Sequence, residues 1–256
     1  MSERPSSLSF ERIADRYDAT RGGEQRGQRT AASLAPLLDP AAPVLEVGIG
    51  TGIVALALRE LGFTVVGIDL APAMAQRARR RLGPVVAVAD AAQLPVADAA
   101  IQQAVSVWLL HLVADRAVVL AEVARALRPG GRYLVCTAWG RVPPRDEIEG
   151  LLVDMRNRLD PTGGWRDHER HVLDAAQVAG FTVVDQRLVS LGEVPQSPAE
   201  VADKIEAKTW SNLWDLTGAQ WRTVVAPTVA ALRALPDAHV QRRYDMPQRI
   251  IVLQRS

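Results

Sequence analysis

The sequence predicts an α/β fold: a doubly wound, mostly parallel sheet of about seven strands carrying a helical elaboration. Three observations predict it. Residues 44–59 pass from a β-branched apolar run through three alternating glycines into an apolar helical stretch. Two more short apolar runs, 63–68 and 85–89, lie on either side of a helical segment, and each is followed by an aspartate. The length of 256 residues, 48% hydrophobic and 23% charged, suits one large domain over 1–256.

Composition also excludes classes of function. A formal net charge of +1 gives no reason to expect nucleic acid or an anionic membrane as partner. Cys136 is the only cysteine, which leaves no intrachain disulfide and no cysteine-rich metal site, and no metal is expected. The first residues lack the apolar run of a signal peptide, and no stretch approaches the length of a membrane span. The expectation is a cytoplasmic protein.

In chain order, Phe10, Ile13, Ala14 and Tyr17 share one helical face. Gly22-Gly23 interrupts the pattern, and a second helical segment covers 25–38. The first strand is expected at 44–47, buried on both faces. Gly48, Gly50 and Gly52 follow at alternate positions. Without a Cβ, such residues allow a sharp turn and a close approach of backbone to ligand. The next helix aims its free N–H groups and positive dipole end into that turn. A dinucleotide fingerprint starting at Gly48 would need glycine at position 53, where Ile53 stands.

The motif Glu46-x-Gly48-x-Gly50-x-Gly52 instead resembles the first motif of the class I S-adenosylmethionine-dependent methyltransferases. A carboxylate two residues before the first glycine is awkward for a pyrophosphate but compatible with an amino-acid head group bearing an ammonium. The resemblance implies cofactor contacts from Glu46, Gly48, Ile49, Gly50, Thr51 and Gly52. The stretch 14–21, with Tyr17 and Arg21, is similar to the family's Tyr-Asp-x-x-Arg segment, which folds over the cofactor's methionine end. The alternative is a docking helix with Tyr17 half-buried and Arg21 in water.

Residues 63–68 form the second strand, ending in Asp69. A carboxylate there can accept hydrogen bonds from both ribose hydroxyls; its alternative role is a helix N-cap. Residues 67–74 resemble the second family motif, which implies Leu70 beneath the adenine and Met74 beside the cofactor. Arg77, Arg79, Arg80 and Arg81 close the following helix, where solvated complementation of the dipole is expected. The third strand, 85–89, ends in Asp90-Ala91, which the resemblance places at the adenine. The loop 94–98 also resembles the family, but Ile101 and Gln102 stand where a Phe-Asp pair usually opens the fourth strand.

Residues 105–113 are read as the fourth strand and its loop, which faces the transferable methyl in a doubly wound sheet. His111 could orient or deprotonate an acceptor hydroxyl, or be a structural histidine. Trp108 could wall the methyl pocket or simply pack. A helix over 117–127 and a fifth strand over 133–138 follow, and the resemblance runs from about Ile13 to Trp139.

Beyond Trp139, helices are expected at 146–159 and 166–179, a sixth strand at 181–191 and a seventh at 249–253. His168 and His171 share a helical face, but two ligands without a partner cluster make an exposed helix the simpler reading. Ser197-Pro198-Ala199-Glu200 and Thr217-Gly218-Ala219-Gln220 are capping boxes, so the long connection 197–236 is helical. With the N-terminal helices of 1–39 it is expected to form a lid, with Trp139, Trp210 and Trp214 at the acceptor and Trp221 as packing.

The whole resembles the ubiquinone/menaquinone-biosynthesis type of the family, a Rossmann-like domain whose last strand is antiparallel. The implied cofactor is S-adenosyl-L-methionine, with S-adenosyl-L-homocysteine as product. The implied partner is a small-molecule acceptor, the protein being a monomer or homodimer. Two rivals remain. A nicotinamide-dependent oxidoreductase lacks support because Lys204 and Lys208, the only lysines, form no Tyr-x-x-x-Lys pair. A non-catalytic S-adenosylmethionine-binding sensor or partner subunit would share every cofactor residue.

Overall fold

The computed structural model describes residues 10–11, 14–15, 17–20, 22–138, 146–161 and 169–256; Arg21, Trp139 and His168 lie outside the described residues. The chain divides into two compact units. The larger comprises Ser6–Gly140, Asp167–Leu191 and Pro247–Ser256; the smaller is built mainly from Arg141–Arg166 and Gly192–Met246.

The larger unit holds most of the sheet and the helices that pack on it. Strands β1 (Val44–Val47), β2 (Val65–Asp69), β3 (Val86–Val88), β4 (Ile101–Val107), β5 (Leu127–Ala138), β6 (Phe181–Gln196) and β7 (Arg242–Arg255) form a seven-stranded sheet of order β3-β2-β1-β4-β5-β7-β6. β1 pairs parallel with β2 and β4, and β7 runs antiparallel to β5. This is the doubly wound, mostly parallel sheet with an antiparallel last strand. Its strand order reverses at β1, which opens a crevice beyond the C-terminal ends of β1 and β4.

Alternation along the strands builds two cores. Val44, Val105, Leu134, Cys136, Ile250 and Val252 face one side, where they meet α2 (Gly23–Leu34), α3 (Ile53–Glu60) and α4 (Pro72–Leu82). Leu45, Val47, Ala104, Tyr133, Val135, Ile251 and Leu253 face the other, against α5 (Arg116–Ala126) and α7 (Glu169–Val178). Glu46 therefore points with Val44 into the first core, where a carboxylate has no water to meet. Gln103 is buried but satisfied: its side chain bonds the backbone of Asp39 and Ala42 ahead of β1.

Several sequence expectations shift at their edges. The helix expected over 25–38 gives way to a 3₁₀ turn, Ala35–Leu37, because Pro36 cannot donate to an α-helical ladder. The fifth strand begins at Leu127, paired to Ile101 across a register irregularity, rather than at 133. β6 and β7 run beyond 191 and 249–253, since Gly192 and Pro195 in one and Pro247 in the other interrupt the sequence pattern without ending the strand. The arginines of α4 are not simply solvated. Arg81 donates to the Thr51 carbonyl at 2.6 Å and to Asp18 at 2.6 Å, Arg79 donates to the Val86 carbonyl, and Arg77 pairs with Asp15.

The smaller unit has its own core. Ile148, Met155 and Leu159 of α6 (Glu147–Leu159) pack with Val201 and Ile205 of α8 (Pro198–Glu206) and with Val229 and Leu232 of α10 (Ala226–Arg233). Both capping boxes form, at Ser197 ahead of α8 and at Thr217 ahead of α9 (Gly218–Gln220). A π-helical turn, Trp221–Val225, links α9 to α10. Tyr244 and Arg242 fasten β7 to Asp146, the N-cap of α6. No helix among the described residues is long and apolar enough to cross a membrane.

Gly67 is a packing requirement that the sequence reading did not mark. A Cβ there would overlap Ile49 Cδ1 and lie 3.0 Å from the Glu46 carbonyl oxygen. Gly67→Val is expected to destabilise the fold by about 1–3 kcal/mol through overpacking. The check is urea unfolding, with a lower midpoint at an unchanged slope.

Candidate functional site

The turn after β1 is fixed mostly by β2. The N–H groups of Gly48 and Ile49 both donate to the Ile68 carbonyl, at 2.9 and 2.8 Å. Gly50 N–H donates to Asp69 Oδ2 at 2.8 Å, while Asp69 Oδ1 accepts from Ala71 N–H at 2.9 Å. One carboxylate thus holds both the glycine turn and the start of the second loop; it is not the N-cap of α4, which is Ala71 and has no side-chain cap. Burial raises the Asp69 pKa, and the two backbone donors oppose that rise.

The three glycines serve different ends. Each has positive φ, +75° at Gly48, +58° at Gly50 and +81° at Gly52. A Cβ on Gly48 would press on Leu109, and one on Gly52 would press on Ala78 and Leu82. At Gly50 it would meet no atom of the described residues within 4 Å. The turn is closed by protein at its two ends and open at its middle. No side chain caps α3, whose N-terminus follows directly.

Glu46 lies beneath this opening. It is 2% exposed, its Oε2 has no hydrogen-bond partner among the described residues, and its pKa is pushed up to about 8, first by burial and then by the nearby Asp69 charge. Gly48, Gly50, Thr51, Val107, Trp108, Tyr17 and Arg26 line a cleft with it, leaving a cavity of about 50 Å³. Trp108 has φ +53°, a strained conformation for a bulky residue at the end of a strand. The Arg26 guanidinium lies 3.3 Å from the centre of the Trp108 ring. Thr51 donates to Asp18, which also pairs with Arg81, so α1 (Tyr17–Thr20) is fastened to the turn.

Of the residues expected at the cofactor, Tyr17, Glu46, Gly48, Ile49, Gly50, Thr51 and Trp108 come together in this cleft, and Asp69 joins through Gly50. Gly52 serves the packing of α3 on α4. Leu70 is exposed and Met74 is buried with Ala14 and Ala71. Asp90, two residues past the Val88 that pairs with Asp69, shares the C-terminal edge of the sheet and accepts from Ala92 N–H. Ala91 is buried in the second core. His111 is half-buried in the turn after β4 and does not line the cleft. In the smaller unit Trp210 packs on the helical core and Trp214 donates to the Lys208 carbonyl. Trp221 packs on the same core, as expected, and also lines a separate cavity of about 350 Å³ with Glu206, Val229 and Arg233. Arg26 escaped the sequence reading because nothing local links it to a tryptophan eighty-two positions on.

Comparison with known proteins agrees with this geometry. A methyltransferase domain model matches residues 45–135, from β1 into β5. The chain is 29% identical to a demethylmenaquinone methyltransferase of Mycolicibacterium vanbaalenii over 227 residues, covering 86% of this chain and 90% of that one. It is 31% identical to a demethylmenaquinone methyltransferase of Parafrankia sp. over 163 residues, 53% of this chain and 64% of the relative. These matches support a class I S-adenosylmethionine-dependent methyltransferase. Among solved structures, the [4+2]-cyclase SpnF is similar with a TM-score of 0.63 at 20% identity, covering 97% of this chain and 94% of that one, which shows the shared fold.

The residues of this cleft fit S-adenosylmethionine. The sulfonium ligand carries an ammonium, and the cleft holds one buried, unpartnered carboxylate oxygen at the mouth of an open glycine turn.

Glu46 gives a signed pH dependence. Its folded pKa lies above the unfolded value, so stability is fullest below about pH 4.5 and falls as the unfolded state ionises up to about pH 8. Glu46→Gln removes that dependence. Thermal unfolding of the ligand-free protein at pH 5 and pH 8 is expected to show a smaller drop for Glu46→Gln than for wild type.

Proposed function

We propose that this chain transfers the methyl group of S-adenosylmethionine to a small-molecule acceptor with an oxygen, nitrogen or carbon nucleophile. The observation that carries the reading is Glu46, a buried carboxylate with an unpartnered oxygen under a glycine turn that is open only at Gly50. When bound, the cofactor supplies a sulfonium methyl that is already well activated, so the protein chiefly aligns the reactants and excludes water.

In this reading Glu46, ionised in the complex, accepts from the ammonium, and the backbone at Gly50 leaves room for the cofactor to pass. Asp69 keeps the turn in shape and offers its remaining lone pairs to the ribose hydroxyls. Leu70, Met74, Asp90 and Ala91 are assigned to the adenine side, and Tyr17, Arg21 and Trp108 to the methionine side. The present cavity of about 50 Å³ is far below the several hundred of a typical ligand site, so Arg26 has to leave the Trp108 ring as the cofactor enters. His111, in the loop after β4, is assigned to orienting or deprotonating the acceptor. Trp139, Trp210 and Trp214 are assigned to the acceptor, with 1–39 and 197–236 as a lid. The similarity to demethylmenaquinone methyltransferases makes a reduced quinone ring the first acceptor class to assay.

The test is release of S-adenosylhomocysteine, with mass detection of the methylated product, across quinol, phenol and amine acceptors. A product heavier by one methyl is expected. Binding of the cofactor with no methylated product from any class would favour the non-catalytic reading. Asp69→Ala is expected to weaken cofactor binding by roughly 1.5–3 kcal/mol per lost charge-assisted bond. Calorimetry showing unchanged affinity in a folded variant would remove the assignment. His111→Gln is expected to lower turnover by about 10²–10⁴ while leaving cofactor affinity unchanged. Normal turnover per folded molecule would return His111 to packing.

A further inference from the structure

β6 ends the sheet on one side and β3 on the other, and the two edges differ sharply. β3 has three residues, Val86–Val88, too short to template another strand. β6 has sixteen, and from 182 to 190 most of its residues are exposed. Three large apolar side chains stand out there: Val183 at 38%, Val184 at 44% and Leu188 at 54% exposure. The stretch contains neither lysine nor proline, the usual protections of a long edge. It ends at Leu191, which is buried and whose carbonyl accepts from Arg29.

We propose that two copies of this chain pair antiparallel through the outer edges of their β6 strands, about a two-fold axis at Gln186. The sequence of the edge is self-complementary about that residue. Gln186 then faces its own copy, Asp185 faces Arg187, Val184 faces Leu188 and Val183 faces Val189. Residues 183, 185, 187 and 189 share one face of the strand, and 184, 186 and 188 the other. Within one copy Arg187 Nε already donates to Asp185 Oδ2 at 2.7 Å, with both side chains over a third exposed. Pairing two such edges sets four alternating charges in a closed square on one face and two Val–Leu contacts on the other.

Neighbouring registers lose this match. An axis at Asp185 opposes two aspartates, an axis at Arg187 opposes two arginines, and an axis between residues sets each charge against a neutral or apolar side chain. The charge pattern therefore selects a second copy of this chain over an unrelated strand. The two-fold closes the assembly at a dimer, because the opposite edge of each sheet is only β3.

Sedimentation velocity over a concentration series, with a cysteine placed on the axis, tests the pairing. A reversible dimer is expected for wild type. Arg187→Asp sets aspartates against one another twice per interface and is expected to weaken association roughly tenfold or more. Adding Asp185→Arg to it reverses every pair, and association is expected to return to near the wild-type value. Facing Cα atoms in an antiparallel pair lie about 4.5–5.5 Å apart, within disulfide reach. Gln186→Cys is therefore expected to cross-link under mild oxidation, while Thr182→Cys, far from its copy, is not. Cys136 is buried and does not compete. A monomer at every concentration, open-ended assembly, or a dimer that ignores the charge swap and fails to cross-link at 186 would each overturn the proposal.

Discussion

A single carboxylate holds the site together. Asp69 accepts from Gly50 on one oxygen and from Ala71 on the other, so the loops after β1 and β2 share one anchor. With the Ile68 carbonyl taking the N–H groups of Gly48 and Ile49, most of the turn's own donors are spent inside the protein. What remains for a ligand is the open middle of the turn, the uncapped start of α3 and the buried Glu46 below. The turn offers shape, and the charge comes from β1.

That arrangement costs stability. A carboxylate inside the first core, close to a second carboxylate, is held protonated well above its ordinary range, and Cys136 beside it is also kept neutral by burial. Arg26 lines the same cleft, with its guanidinium over the ring of the strained Trp108. A cationic ligand group resolves the mismatch, since it supplies Glu46 with the partner that the folded chain does not.

Much of this was legible in the sequence, for local reasons. The β-branched run, alternate glycines and terminal aspartate of residues 44–69 depend on neighbours in the chain, and both capping boxes are four-residue patterns. What was not legible depends on partners far away. Gly67 reads as one more strand residue until Ile49 is seen against it, and Arg81 reads as a helix-end charge until Asp18 and the Thr51 carbonyl are placed beside it. β6 reads as shorter than it is because Gly192 and Pro195 look like breakers within its last five residues. The helical insertion was foreseen, but its apolar residues share a core with α6, which periodicity within either segment cannot reveal.

The central claim is that Glu46 changes from a protonated, unpartnered acid to a carboxylate facing an ammonium when the cofactor binds. Calorimetric titration with S-adenosylmethionine at pH 6.5, in buffers of different ionisation enthalpy, measures this as protons released. Wild type is predicted to release close to one proton per site and Glu46→Gln close to none. Equal proton release from the two proteins, both binding the cofactor, would contradict the account.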